Sequence, residues 1–263
     1  QSGVKTIDLI EDIINKALKQ LPIPKMMKWG DSDIVFVRPV HWVLAIYANK
    51  PLSINILGKK SSDITYGHRF HHPEAIQITS TDDYVAKLSE SMVIVDWDQR
   101  KEMIVEQVKT IAKNNNYTAV LKDELVDEVC AIVEYPNAMM CSFDKNFLRV
   151  PQEALISSME EHQKCFALLE SNQLVEKFIT ISNIISRKPE VVISGNQKVM
   201  NARLADAAFF YDTELQNTLD SLLPKLANVK FHNKLGNMYQ KSQRIAQTSQ
   251  KLAQLANTDS DLA

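Results

Sequence analysis

The spacing of the hydrophobic residues changes near Gly195, and that change limits the folds open to this chain. Before Gly195, short runs dense in β-branched and aromatic residues, such as Ile34–Val37 and Val40–Tyr47, alternate with stretches of helical spacing. After Gly195 the convincing apolar repeats are helical only. The pattern predicts an α+β fold, in which a mixed sheet packs against helices, followed by an all-helical segment.

This change also suggests a division of the chain. An amphipathic helix is predicted over residues 6–21, and it ends before Pro22 and Pro24. We therefore expect an N-terminal linker helix in residues 1–24, an α+β domain in 25–195 and a helical segment in 196–263. The start at Gln1 and the polar end from Asn257 onward suggest a piece excised from a longer chain.

Several shorter elements are predicted within these regions. Met92–Val95 has the composition of a short buried strand, and Ser171-Asn172 separates two apolar runs in the manner of a β-hairpin turn. In the helical segment, the run Phe209-Phe-Tyr211 is most simply explained as part of the core.

Composition excludes several classes of protein. The formal net charge is −2, so any RNA contact must use a local patch rather than a generally basic surface. Cys130, Cys141 and Cys165 fit neither a disulfide framework nor a zinc site. The longest strongly apolar stretch, Val40–Ala48, is about half of a membrane span. We expect a cytoplasmic protein without a membrane segment.

The six glycines lie far apart in the sequence, which bears on nucleotide binding. Phosphate-cradling loops need clustered glycines, so neither G-x-G-x-x-G nor a P-loop is possible. The sequence also lacks H-E-x-x-H and G-x-S-x-G. We therefore predict that this chain has no catalytic residues, no metal site and no bound cofactor of its own.

Two basic and aromatic regions are candidates for contact with RNA. In Gly67–Pro73, Arg69 could bind a phosphate, while Phe70 or a histidine could stack on a base. Metal binding by the histidines, or a solvated strand end, are the alternatives. Lys28 and Arg38 are harder to bury than the neighbouring Trp29 and Trp42, which we interpret as core residues.

Two helical stretches carry further polar candidates. Ser158 and His162 could share a helix face, which would allow hydrolysis, although a solvated helix end explains them as well. Arg203 and Asp206 are three residues apart and could form an intrahelical ion pair. The candidate RNA-binding residues are therefore Lys28, Arg38, His68, Arg69, Lys164 and Arg203.

Several sequence blocks, in this order and at this spacing, resemble the β subunit of the two-subunit bacterial glycyl-tRNA synthetase. Each block is weak alone, and together they run through nearly the whole chain. They are Met27–Asp31, Phe36–Trp42, Gly67–Phe70, Val93–Asp96, Ser158–Lys164, Ala202–Tyr211 and Phe231–Gly236.

The resemblance implies a division of labour. In that family the α subunit carries the class II catalytic core, where ATP and Mg are expected, and the β subunit contributes tRNA binding. The expected partners are the α subunit and tRNA(Gly), in an α2β2 assembly. The resemblance further implies that residues 25–195 are similar to the B3/4 domain of phenylalanyl-tRNA synthetase. It implies that residues 196–263 begin an HD-type domain, although no His-Asp pair follows His232.

Three hypotheses about function stay open at this point. The first is a non-catalytic segment that supports ATP-dependent charging of tRNA with glycine by contacting tRNA and the α subunit. The second is an editing hydrolase of mischarged tRNA that uses Ser158, Glu161 and His162. The third is a purely structural scaffold whose basic residues are only solvated.

Overall fold

The structure, a computed structural model, describes residues 3–259. The described residues exclude 1–2, from the predicted N-terminal linker helix, and 260–263, from the predicted helical segment. Helix α1 spans Thr6–Gln20, as its apolar spacing predicts, and ends before Pro22 and Pro24. Its apolar face covers a small core of Leu52, Ile54 and Ile56.

Four short antiparallel hairpins follow α1. Their strands are β1 (Met27–Lys28), β2 (Val35–Phe36), β3 (Ile46–Tyr47), β4 (Lys50–Pro51), β5 (Asn55–Ile56), β6 (Lys59–Lys60), β7 (Ile64–Tyr66) and β8 (Ala75–Gln77). The stretch predicted as one strand, Val40–Tyr47, forms a strand only at its end, where Ala48 and Asn49 turn with positive φ. A single parallel bridge joins Leu44 to Ser62.

Two helices lead into the central part of the chain. Helix α2 spans Tyr84–Glu90, and α3 spans Trp97–Asn114 with the Asp96 side chain as its N-cap. The strand predicted over Met92–Val95 is wrong. Met92 has φ 63°, which breaks an extended backbone, and Ile94 N–H bonds instead to the Glu134 carbonyl at 2.9 Å.

A four-stranded antiparallel sheet forms the centre of the protein. It consists of β9 (Thr118–Ala119), β10 (Asn137–Ser142), β11 (Phe166–Glu170) and β12 (Gln173–Ser182), in the order β10-β12-β11-β9. Ser171 and Asn172 have φ 49° and 65°, as a type I′ turn requires, so the predicted hairpin is confirmed.

Helices cover both faces of this sheet, so its strands are apolar on both sides. Helices α3 and α4 (Asp123–Ile132) pack on one face over Phe166, Leu168 and Ile179. The other face carries Ala167 and Phe178 and is covered by α5 (Gln152–Gln163) and α6 (Pro189–Leu215). Alternate residues of β11 and β12 therefore serve two different cores, which follows from the two-residue period of a strand.

The C-terminal portion is mainly helical, which confirms the predicted fold class. Beyond α6 come α7 (Leu219–Leu222) and α8 (Met238–Leu255). The apolar spacing did not predict the short hairpin of β13 (Lys230–His232) and β14 (Gly236–Asn237) between them. Gly195 lies inside α6, and the division of the chain into domains stays a prediction. Every helix in the described part of the chain is too short or too polar to cross a lipid bilayer.

Candidate functional site

A groove of about 480 Å³ lies between α5 and α6, and two of the sequence blocks meet there. Block Ser158–Lys164 closes α5, and block Ala202–Tyr211 lies within α6. The groove is lined by polar side chains with one aromatic ring at its edge: Ser157, Ser158, Glu161, His162, Arg203, Asp206 and Phe210, beside Ala154 and Ala207.

Packing on the sheet and one ion pair hold the walls of this groove in place. Helix α5 buries Leu155 and Met159, and α6 buries a stripe of Met200, Leu204 and Ala208 at a spacing of four. The Arg149 guanidinium, just before α5, donates to both carboxylate oxygens of Asp212 on α6, at 2.9 and 2.8 Å. Such a bidentate pair fixes geometry as well as contributing energy.

The polar groups in the groove are arranged differently from the sequence prediction. Ser157 Oγ donates to Glu161 Oε1 at 2.8 Å, so the bonded serine is Ser157 and not Ser158. Ser158 and His162 both line the groove, but no hydrogen bond joins them. Hydrolysis by this pair would need a rearrangement that brings the imidazole to the hydroxyl.

The predicted ion pair between Arg203 and Asp206 is wrong. In the described structure no ion pair joins the two side chains, although both line the groove. Their three-residue spacing allows the contact but does not require it, since both side chains are exposed to water. The guanidinium of Arg203 is therefore open to an anionic ligand.

Lys164 lies at the same helix end but faces another element. It caps α5 in a left-handed conformation, with φ 51°, and its ammonium pairs with Glu128 on α4. The neighbouring Glu160 is buried, and its Oε2 contacts Lys122 Nζ at 2.5 Å, while its Oε1 has no partner in the described structure. Lys164 and Arg203 thus lie on different sides of α5.

Lys28 and Arg38 lie on the first hairpin and just beyond it. Lys28 Nζ contacts Asp33 Oδ1 at 2.5 Å. Arg38 is exposed, and its guanidinium makes two long contacts, to the adjacent Val37 carbonyl at 3.4 Å and to Met27 Sδ at 3.9 Å. The prediction that Trp42 is a core residue is wrong. Its N–H bonds to Thr65 Oγ1 at 3.2 Å, but 45% of the residue is exposed.

His68 and Arg69 lie in the loop between β7 and β8, and their environments differ. His68 is only 1% exposed, and both of its ring nitrogens contact backbone groups. Its ring therefore offers no free atom to a ligand in this conformation. Arg69 is exposed, with its guanidinium 5.9 Å from the centre of the Phe70 ring. Among residues 3–259, no group of three or more His, Cys, Asp or Glu is arranged to hold a metal.

The structure does not bring the six candidates together. Lys28 and Arg38 lie near the first hairpin, His68 and Arg69 in one loop, and Lys164 and Arg203 on two sides of α5. Contact with RNA stays a prediction for these residues.

The sequence interpretation also missed an exposed aromatic pair. Phe209 and Phe210 are 65% and 63% exposed, so the prediction that they lie in the core is wrong. The spacing of Met200, Leu204 and Ala208 was the available signal, because it places the next two residues off the buried stripe.

Fold and site together define an α+β protein that exposes polar and aromatic side chains in the groove between α5 and α6. The model of the glycyl-tRNA synthetase beta subunit family matches residues 1–263. The glycine–tRNA ligase beta subunits of Pseudoalteromonas translucida (strain TAC 125) and Chromohalobacter salexigens are 43% and 44% identical to the chain over its whole length. The same subunit of Coxiella burnetii (strain RSA 493) is 43% identical over 265 aligned residues.

The chain therefore belongs to the glycyl-tRNA synthetase β-subunit family, as the order of its sequence blocks predicts. It spans 38% of the length of each of these three relatives.

Proposed function

We propose that this chain is a non-catalytic segment of a glycine–tRNA ligase β subunit, which supports the charging of tRNA with glycine. In this proposal ATP and Mg bind at the α subunit, and the segment contacts tRNA(Gly) and the α subunit within a cytoplasmic α2β2 enzyme. The observation that carries it is the family match along all 263 residues.

The chemistry of the surface supports this role. The groove between α5 and α6 presents Arg203 and the Phe210 ring, which suit contacts with phosphate and with bases. The charges are spread over the chain, whose formal net charge is −2, so binding would depend on local contacts.

Aminoacylation by the complete enzyme tests this proposal. The α subunit together with the full-length β subunit that contains this segment should charge tRNA with glycine, and α alone should charge poorly. Charging by α alone at the full rate would contradict the need for β.

The salt dependence of tRNA binding tests the contact itself. Charge reversal at Lys28, Arg38, Arg69 and Arg203 should flatten the plot of log affinity against log salt. Each phosphate contact releases counterions when it forms, so a variant with fewer contacts releases fewer counterions on binding. Reversal of two exposed lysines on α3, Lys109 and Lys113, is the control for a change in net charge away from these residues. An unchanged slope in the first variant would favour a structural scaffold.

A second candidate function is the editing of mischarged tRNA. The observation in its favour is that Ser157, Ser158, Glu161 and His162 line one groove. The enzyme should then deacylate mischarged glycine tRNA, and Ser158→Ala and His162→Ala should each reduce that rate without changing the charging rate. Deacylation at the rate of buffer alone, with a folded enzyme, would remove this candidate.

A further inference from the structure

The loop after β7 is joined to a segment far away in the sequence. His68 Nε2 donates to the carbonyl of Asn183 at 2.5 Å, across 115 residues, and Ile185 N–H donates to His71 Nε2 at 3.0 Å. The Asn183 side chain in turn accepts from the backbone N–H groups of Glu134 and Tyr135, at 2.6 and 3.1 Å. Residues 67–72 and 183–188 therefore form one surface.

The loop itself is held in a fixed shape. His68 Nδ1 accepts from the backbone N–H groups of Phe70 and His71 at 3.2 and 3.3 Å, and His68 N–H donates to the Ser91 carbonyl at 2.9 Å. A Cβ on Gly67 would lie 2.5 Å from Ser91 Cβ, so only glycine permits this approach. Arg69 and Phe70, both exposed, are thus positioned before any ligand arrives.

The side chains on this surface are an exposed ring and several cations. Phe70 is 70% exposed, with the Arg69 guanidinium beside its ring. The neighbouring segment contributes Arg187 and Lys188, both exposed, which the sequence interpretation did not single out. Glu74 also lies nearby, and His72 Nδ1 is 3.6 Å from its carboxylate.

We propose that residues 67–72 and 183–188 form a binding surface for RNA, in which Phe70 stacks on an unpaired base. In this proposal Arg69, Arg187 and Lys188 contact the adjoining phosphates. We call this surface the Phe70 platform, and its assignment rests on the proposed function in tRNA charging. We propose an unpaired base because the face of a base within a duplex is covered by its stacked neighbours and cannot stack on Phe70.

RNA fits the platform better than a protein partner does. The centres of protein interfaces are depleted of charge, whereas here the exposed ring is next to one guanidinium and shares its surface with two further cations. A ring beside cations on a rigid loop is the arrangement that proteins use for single-stranded RNA. The fixed backbone also lowers the entropy lost on binding.

The first test is tRNA binding by the complete α/β enzyme. Phe70→Ala should weaken binding roughly 5- to 150-fold, the range found when a stacking ring is removed, and Phe70→Trp should retain it. The matched control is Phe231→Ala, because Phe231 is also an exposed ring beside a cation, with Lys241 Nζ 4.1 Å from its centre. Thermal melting confirms that each variant is folded.

Two further measurements identify the ligand. Arg187→Gln with Lys188→Gln should lower the salt slope by roughly 1.4, since each contact to a single strand contributes about 0.7. An unpaired RNA oligonucleotide should compete with tRNA at the platform of the wild-type enzyme, and a duplex of the same length should not.

The outcomes separate this inference from the proposed function. If the wild-type enzyme binds and charges tRNA but Phe70→Ala binds it equally well, the platform is refuted while the proposed function stands. If Phe70→Ala loses the α subunit and keeps its affinity for tRNA, the surface binds protein and the inference is wrong. If the wild-type enzyme does not bind tRNA, the proposed function fails first.

Discussion

Gly195→Ala is expected to stabilise the protein, because Gly195 occupies an interior position of α6 with open space around it. A Cβ built on Gly195 has no atom within 4 Å, and the helix continues without interruption from Pro189 to Leu215. Alanine at such a position loses less backbone entropy on folding, which is worth about 0.5–1 kcal/mol. The expected change in the free energy of unfolding is therefore positive and of that size.

Gly67→Ala is the matched substitution with the opposite expected sign. Its new Cβ would lie 2.5 Å from Ser91 Cβ and 2.8 Å from the Ser91 carbonyl oxygen, and a backbone oxygen cannot move aside cheaply. Relief of this overlap would pull His68 from its hydrogen bond to Ser91. We expect a loss of about 1–3 kcal/mol, the usual cost of overpacking.

Urea unfolding followed by circular dichroism measures both changes. The two midpoints should move in opposite directions with unchanged slopes, since neither substitution alters the surface exposed on unfolding. A lowered midpoint for Gly195→Ala would refute the reasoning, because it would mean that the chain is not helical at this residue. That outcome would favour a hinge at Gly195, where the hydrophobic spacing changes.

Three other predictions concern buried and capping groups. Lys122→Met leaves the buried Glu160 carboxylate unpaired and should destabilise the protein by about 2 kcal/mol. This is less than the usual cost of an unpaired buried charge because Lys122 is half exposed. The double variant Lys122→Met with Glu160→Met should recover most of that stability, as measured by urea unfolding. Burial raises the pKa of Cys141 to about 11 and that of Cys165 to about 12, so the folded thiols stay protonated where unfolded thiols ionise. Stability should therefore fall as pH rises above about 9, by up to about 1.4 kcal/mol per pH unit for each thiol, and Cys141→Ala should make that fall less steep. Asn237→Ala removes the capping box of α8 and should lower stability by about 1 kcal/mol, and no change in thermal melting would show that this helix end does not contribute.

Much of the fold could be predicted because its signals are local. The apolar spacing of α1, the prolines that end it and the Ser171-Asn172 turn each depend on neighbouring residues. The missed elements depend on distant ones. Met92–Val95 has the composition of a strand, but Ile94 N–H bonds to the carbonyl of Glu134, which lies just after α4 and far away in the sequence. The short β13–β14 hairpin depends on Gly236, with φ 84°, rather than on hydrophobic spacing.

The site residues were harder to predict for the same reason. The sequence groups His68 with Arg69, but one ring is buried and the other side chain is exposed. Burial of His68 depends on Asn183, and no local pattern reports a contact across 115 residues. The groove could be predicted only in part. Ser158 and Arg203 were candidates on predicted helical stretches, but the packing of α5 against α6 depends on contacts between residues far apart in the sequence.

The contact between His68 and Asn183 has a consequence during synthesis. The β7–β8 hairpin, whose loop contains His68, leaves the ribosome before Asn183, which follows 115 residues later. At roughly 5–20 residues per second, the loop waits about 6–23 s for its partner to be made. During that interval His68 lacks its acceptor, the Asn183 carbonyl, and the loop is accessible to proteases and chaperones. The loop between β7 and β8 therefore reaches its final shape only after residues 183–188 have been synthesised.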